Sequence, residues 1–266
     1  MKKFRFAALA LMAACSTGDE GPITWEEFQA QAYQEPDSGL YIVNGDEPVL
    51  NEDEMRAMYA RYVDQFDSYS TTEQALIVHR ANGADAKWTS SQAINLTYCI
   101  ATSGNGGFGS RYSAVKAAMD GASGDWEGVG RVNFVHVTTQ DANCTSRNAN
   151  VVFNVKQVKT SQYLASAFFP NYPRSSRELK ISTTSFGNIN PWTLRGILRH
   201  ELGHTLGFRH EHTRPESGTC FEDSNWRALT AYDSSSVMHY PQCNGTQNGD
   251  LVITSTDAAG ARSLYP

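Results

Sequence analysis

The chain has 266 residues, with 22 Lys and Arg against 28 Asp and Glu and a formal net charge of −6. That balance provides no basic field for a nucleic-acid backbone. Beyond the first fourteen residues no apolar run is long enough to re-enter a bilayer.

Taken in chain order, the N-terminus reads as a targeting segment. Lys2, Lys3 and Arg5 precede an apolar run from Phe6 to Ala14, and Leu11-Met12-Ala13-Ala14-Cys15 resembles a lipoprotein cleavage box. Cleavage there leaves Cys15 as a lipidated N-terminus. The protein is then extracytoplasmic and held to a bacterial membrane only through that lipid, with ordinary secretion as the alternative. Residues 16–87 hold 15 Asp and Glu against 4 Lys and Arg, a net of −11, whereas residues 88–266 hold 13 against 15, a net of +2. A shift of that size marks a boundary. The expected division is 1–14 signal peptide, 15–87 acidic pro-segment or stalk, and 88–266 functional domain. Within the acidic part, Glu52 to Gln65 has the period of an amphipathic helix, and Asn44-Gly45-Asp46 suits a turn.

Beyond residue 88, Ile94–Ile100 and Val132–Val137 read as strands, with a helix from Arg111 to Asp120 between them. Val151–Lys156 and Leu179–Thr184 read as further strands, and Tyr163–Phe169 as a short edge strand. This order implies a twisted sheet with helices packed on it. Gly104-Asn105-Gly106-Gly107-Phe108-Gly109 matches a dinucleotide fingerprint, but no acidic residue ends the second strand, where Val137 leads into Thr138-Thr139. It reads instead as a flexible loop entering the helix.

The most informative run is His200-Glu201-Leu202-Gly203-His204-Thr205-Leu206-Gly207-Phe208-Arg209-His210, of the form H-E-x-x-H-x-x-G-x-x-H. Residues four apart share one face of a helix, so His200 and His204 can grip one ion. Leu194, Leu198, Leu202 and Leu206 form the opposite stripe, with Asn190 as the expected cap and Pro191 in the first turn. Gly207 can take the left-handed conformation that ends the helix, returning His210 as a third ligand. Three protein ligands leave a fourth position for water, the arrangement of a catalytic zinc site, and Glu201 stands where it can take that water's proton.

On these residues the chain resembles metzincin peptidases, and more narrowly their astacin side. His204 to Arg214 resembles the astacin signature, and Tyr232-Asp233-Ser234-Ser235-Ser236-Val237-Met238-His239-Tyr240 resembles its Met-turn. The dual-action HEIGH metallopeptidases of bacterial lipoproteins share the layout. The sequence departs from astacins at Pro215-Glu216 and at Pro241. The resemblance implies an α+β metzincin-type domain: a twisted, mostly parallel sheet with an antiparallel edge strand, a zinc helix and a small irregular C-terminal half closed by a helix over Ser255–Tyr265. It implies one Zn2+ ion held by His200, His204 and His210, with Glu201 as base. Met238 would pack beneath the metal, and Tyr240 would stabilise the oxyanion as a swinging ligand. Glu211 matches the residue that contacts the mature N-terminus in astacins. Tyr41-Ile42-Val43-Asn44-Gly45-Asp46 resembles the astacin pro-segment element whose Asp occupies the metal's open position, so Asp46 is either a latency ligand or part of a turn.

If Cys15 is lipidated, four cysteines remain, and an exported chain would use them as two disulfides. Of the three pairings, Cys99–Cys144 and Cys220–Cys243 is favoured; a four-cysteine zinc site lacks any C-x-x-C. His79, His136, His212 and His239 read as surface or packing residues, with His212 the strongest exception. The expected function is a monomeric zinc endopeptidase, made as a latent precursor, that binds extended polypeptide along the edge strand. A metal-binding adhesion lipoprotein and a mucin-directed protease are the alternatives.

Overall fold

The computed structural model describes residues 22–67 and 76–266. The targeting segment, Cys15 and residues 68–75 lie outside the described residues.

The acidic part is folded. Helix α1 (Trp25–Gln31) starts at Thr24, whose hydroxyl accepts from the Glu27 N–H while the Glu27 carboxylate accepts from the Thr24 N–H. Strands β1 (Tyr33–Gln34), β2 (Tyr41–Val43) and β3 (Glu47–Val49) form an antiparallel meander, followed by α2 (Glu52–Asp67). Phe28, Val43, Val49, Met55 and Met58 bury together as a small core of their own.

The second part is built on the expected sheet. Before it stand β4 (Ile77–Ala81), β5 (Ala84–Asp85) and the single turn α3 (Ser90–Ala93). The sheet contains β6 (Leu96–Ile100), β7 (Phe134–His136), β8 (Phe153–Val158), β9 (Ala165–Ser166) and β10 (Glu178–Ser182), in the order β7-β6-β8-β10-β9. The first four are parallel, and β9 runs antiparallel to β10 at the edge. Residues alternate across it, so Leu179 and Ile181 enter the main core while Glu178, Lys180 and Ser182 take the opposite face. Helices α4 (Tyr112–Glu127) and α5 (Leu194–Thr205) pack against one another beneath the sheet; the Trp126 indole donates to the Arg199 carbonyl at 2.8 Å and its ring stacks on Phe208 at 5.2 Å. Strand β11 (Trp226–Ala228) and helix α6 (Ser255–Leu264) complete the chain.

Two expectations shift. The 104–109 loop is tied to β8, since the Gln157 N–H donates to the Gly106 carbonyl at 2.7 Å. The boundary expected at residue 88 falls inside the packed second part. Leu76, Ile77 and Val78 are buried, and β4 pairs antiparallel with β11 and bridges Phe208 through Val78. The charge shift is made almost wholly upstream of residue 68, so it reports the acidic surface of the first part and not the start of the second.

Candidate metal centre

Helix α5 carries the two histidines, and its ends explain how. Thr193, and not Asn190, is the cap: its hydroxyl accepts from the Gly196 N–H at 2.9 Å. Leu198, Leu202 and Leu206 are buried in the main core, which leaves His200, Glu201 and His204 facing away from it. At the far end the Gly207 N–H donates to the His204 carbonyl and the Phe208 N–H to the Gly203 carbonyl, a paired cap with Gly207 at φ +99°. A side chain at 207 would also place its Cβ 2.1 Å from the Ala86 carbonyl oxygen. The returning chain is then fixed by β4, because the His79 N–H donates to the Gly207 carbonyl and the Arg209 N–H to the Ile77 carbonyl. This places His210 opposite the helix.

The three imidazoles converge. His204 Nε2 and His200 Nε2 each lie 3.2 Å from His210 Nε2, and all three rings are buried. Each Nδ1 faces an acceptor: the Val237 carbonyl at 2.8 Å from His200, the Phe208 carbonyl at 2.8 Å from His204, and Glu222 Oε1 at 2.6 Å from His210. A carbonyl only accepts, so Nδ1 carries a proton in His200 and His204, which leaves Nε2 of each as the atom that a metal would take. Ligands at 2.0–2.1 Å from a tetrahedral zinc stand about 3.3 Å apart. The donor set therefore fits a zinc ion in spacing, type and tautomer. Met238 packs under the helix against Gly203, where an added Cβ would meet its sulfur at 2.4 Å.

The acidic part reaches this point through the β2–β3 hairpin. Its turn is made by Asn44 and Gly45, at φ 53° and 96°, with Asp46 following. The turn reading and the metal reading of these residues are therefore compatible. Asp46 Oδ1 lies 3.1 Å from His210 Nε2 and 3.5 Å from His204 Nε2, and Oδ2 lies 3.3 Å from His200 Nε2. Oδ2 also accepts a hydrogen bond from the Tyr240 hydroxyl at 2.5 Å. Gly45 is required by proximity: its Cβ would meet the Tyr240 hydroxyl at 3.0 Å. Glu201 is buried beside this group, its Oε2 without a hydrogen-bond partner among the described residues.

Glu222, which the motif does not contain, completes the surroundings. Its Oε1 accepts from His210 and lies 3.3 Å from His212 Nε2, and its Oε2 accepts from Arg209 Nη2 at 2.7 Å. Arg209 is fully buried and also pairs with Asp223 and, at 3.2 Å, with both oxygens of Glu47 from β3. Asp223 in turn accepts from Arg61 of α2 at 2.6 Å. Among the protein's own charges, burial lifts Asp46, but His210 and His204 outweigh it and hold the carboxyl well below its ordinary range. Burial first, and the Asp46 charge second, push Glu201 well above its ordinary range. Burial likewise raises Glu47 to about 7 against the pull of Arg209.

The remaining residues fall outside the ligand set. His212 is buried, its Nδ1 accepting from the Tyr240 N–H at 3.3 Å. His79 stacks on Phe169, His136 pairs with Asp141, and His239 bonds the Tyr232 hydroxyl. Glu211 bonds the Asp233 N–H and lies 3.5 Å from the Arg214 guanidinium. Both favoured disulfides are formed, Cys99–Cys144 and Cys220–Cys243. The second ties the loop bearing Glu222 and Asp223 to the segment after Tyr240. Two such bonds suit an oxidising compartment outside the cytoplasm.

The Met-turn lying beneath the histidine helix separates metzincins from other proteins with the same histidine spacing, and the fold and centre of this chain are those of a metzincin-type zinc metallopeptidase. More narrowly, the chain belongs to the dual-action HEIGH metallo-peptidase family, whose model matches residues 42–228. It is 38% identical over 74 residues to embryonic protein UVS.2 of Xenopus laevis, covering 22% of this chain and 14% of that protein. It is 44% identical over 64 residues to the astacin-like metalloendopeptidase of Coturnix japonica, covering 17% of this chain and 15% of that one. The chain thus matches about a seventh of the length of these curated relatives. Among solved structures, the hatching enzyme zinc-protease high choriolytic enzyme 1 of Oryzias latipes is similar at a TM-score of 0.46 and 20% identity, over 71% of this chain and 98% of that one. Zinc is the cofactor that this family and this donor set imply.

Proposed function

We propose that the protein is a zinc endopeptidase, kept latent by its own Asp46 hairpin, that hydrolyses extended polypeptide outside the cytoplasm. The observation that carries this reading is the convergence of three imidazole Nε2 atoms on the Asp46 carboxylate, Oδ1 toward His204 and His210 and Oδ2 toward His200. His200, His204 and His210 hold the metal, and Asp46 takes the fourth position. A zinc ion bound there supplies a Lewis acid that polarises the scissile carbonyl and lowers the pKa of an attacking water. The rest is done by side chains. With the hairpin withdrawn, the Glu201 carboxylate takes the proton from the water and returns it to the leaving amine. The Tyr240 hydroxyl, freed of Asp46, donates to the developing oxyanion. Strand β9 pairs only with β10 among the described residues, so an extended chain can add along its other edge. Cys15 carries the lipid that anchors a monomeric enzyme.

The test compares the full chain with Asp46→Ala and with Asp46→Ala/Glu201→Ala on an unstructured polypeptide, alongside zinc content. Asp46→Ala should raise activity at least about tenfold, because it removes a ligand held at high effective concentration. The double variant should keep one zinc and lose turnover. Equal turnover in the two variants would remove Glu201 from the mechanism, and no gain in Asp46→Ala would remove the latency. Labelled fatty acid should enter the wild type and not Cys15→Ser; a wild type without label would reject the anchor.

A further inference from the structure

Two turns of the acidic meander each carry a carboxylate into the second part. One carries Asp46. The other, the turn between β1 and β2, carries Glu35, which is closed on itself by the Glu35 N–H to Leu40 carbonyl bond and by the Ser38 hydroxyl on the Glu35 carboxylate. The carboxylate projects onto the sheet face opposite the main core. There Lys180 Nζ pairs with one oxygen and the Tyr163 hydroxyl donates to the other. The Lys180 side chain is 3% exposed and that of Glu35 is 8% exposed.

The second part cannot neutralise this lysine by itself. In the parallel register Lys180 stands opposite Lys156, two like charges on adjacent strands. Glu178, two residues before Lys180 on the same strand, is already engaged by Asn154 Nδ2 at 2.9 Å and lies 3.5 Å from Lys156 Nζ. Among the described residues, Glu35 is the only carboxylate paired with Lys180. Beside the pair lies a cavity of about 520 Å³, lined by Tyr33, Gly106, Lys156, Tyr163 and Lys180 with Glu35 itself. Gly106 lets the 104–109 loop close over Lys156, since its Cβ would stand 3.1 Å from the Lys156 Cβ. A buried ammonium demands a counter-charge, and one cation with one hydroxyl donor suits a single carboxylate. Lys180 is also in register with Ser166 of β9, so the site borders the strand along which extended polypeptide would run.

We propose that Lys180 and Tyr163 form a carboxylate-recognition site that takes an acidic side chain of a polypeptide substrate, with Glu35 as its occupant in the precursor. The proposal rests on the reading that the acidic part withdraws in the active enzyme. Withdrawal carries Glu35 away together with Tyr33, Pro36, Asp37 and Ser38 of the cavity lining, and leaves both donors uncovered on the sheet face beside Gly106 and Lys156. The enzyme then favours substrates with Glu or Asp at the position that reaches this face.

The site can be tested in the full chain without any hydrolysis, so its failure is separable from failure of the latency reading. Amine acylation followed by peptide mass spectrometry reads the accessibility of Lys180, with exposed Lys87, which lies outside this cavity, as the internal standard. Lys180 should be protected in the wild type and labelled about tenfold faster in both Glu35→Ala and the isosteric Glu35→Gln. N-acetyl-glutamate N-methylamide should restore protection in Glu35→Ala, whereas the matching glutamine compound should not. N-acetyl-alanine, which offers only a terminal carboxylate, tests whether a chain end serves equally; protection by it alone would overturn the side-chain assignment. Exposed Lys180 that no carboxylate protects would reduce the pair to an anchor for the acidic part. Lys180 still protected in both variants would overturn the site outright.

Discussion

The proposed metal ligand His210 offers the sharpest quantitative test, through Glu222. His200 and His204 are oriented by backbone carbonyls, which substitution cannot remove, whereas His210 is oriented by a side chain. Glu222→Gln keeps the volume and removes the charge. At the 2.6 Å His210 contact this converts a charge-assisted hydrogen bond into a neutral one. Its amide nitrogen must also oppose Arg209 or turn toward His210, so one of the two bonds is lost. Hydrogen bonds to charged groups contribute about 1.5–3 kcal/mol, and loss of a carboxylate behind a ligating histidine weakens metal binding about tenfold to hundredfold. The two scales agree, since tenfold is about 1.4 kcal/mol. Arg209 is not stranded, because Glu47 and Asp223 remain on it, so the fold should survive. Competition against a fluorescent chelator should therefore give a zinc Kd raised about tenfold to hundredfold. A folded Glu222→Gln chain whose zinc Kd stays within about twofold of wild type would refute the reasoning.

Gly203→Ala should destabilise the chain by about 1–3 kcal/mol, as overpacking does, because its Cβ would stand 2.4 Å from the Met238 sulfur and 3.1 Å from the Trp126 ring. Urea unfolding of the full chain measures it, and an unchanged midpoint would show that the Met-turn yields without cost. Acid should loosen the Glu35 tip. Burial pushes that carboxyl up, but Lys180, with bonds from Lys180, Ser38 and Tyr163, holds it below its ordinary 4.5. A carboxyl depressed by folding adds stability above its unfolded pKa and loses it as pH falls through the folded one. Stability should therefore drop below pH 4.5 more steeply in wild type than in Glu35→Gln, and parallel curves would contradict the assignment.

What the sequence disclosed follows from the range over which each signal acts. His200, Glu201, His204, Gly207 and His210 lie within one turn-ended helix, and strands such as β6, β8 and β10 carry four or more residues of usable alternation. Strands β1, β2, β3 and β11 span two or three residues, too few for a period of two to register. The cap moved from Asn190 to Thr193 because the helix begins later than its Pro191 signal. Glu222 lay beyond reach for a different reason. Its role depends on a loop placed by the Cys220–Cys243 bond and on an arginine shared with β3, neither of which leaves a local pattern. The acidic composition of residues 16–87 suggested a stalk as readily as a folded cover, because charges on outward faces say nothing about the small core beneath them.

Arg209 and Asp223 of the second part are shared with Glu47 and Arg61 of the acidic part. The buried network holds two guanidiniums, Arg61 and Arg209, and three carboxylates, Glu47, Glu222 and Asp223, a formal charge of −1 if all are ionised. If the acidic part departs as proposed, Arg61 and Glu47 leave together, and Arg209 remains with Glu222 and Asp223, again −1 with all groups ionised. His210 would lose the Asp46 carboxylate that lies 3.1 Å from its Nε2 and keep Glu222 on its Nδ1, so the partner that orients the ring stays with the second part.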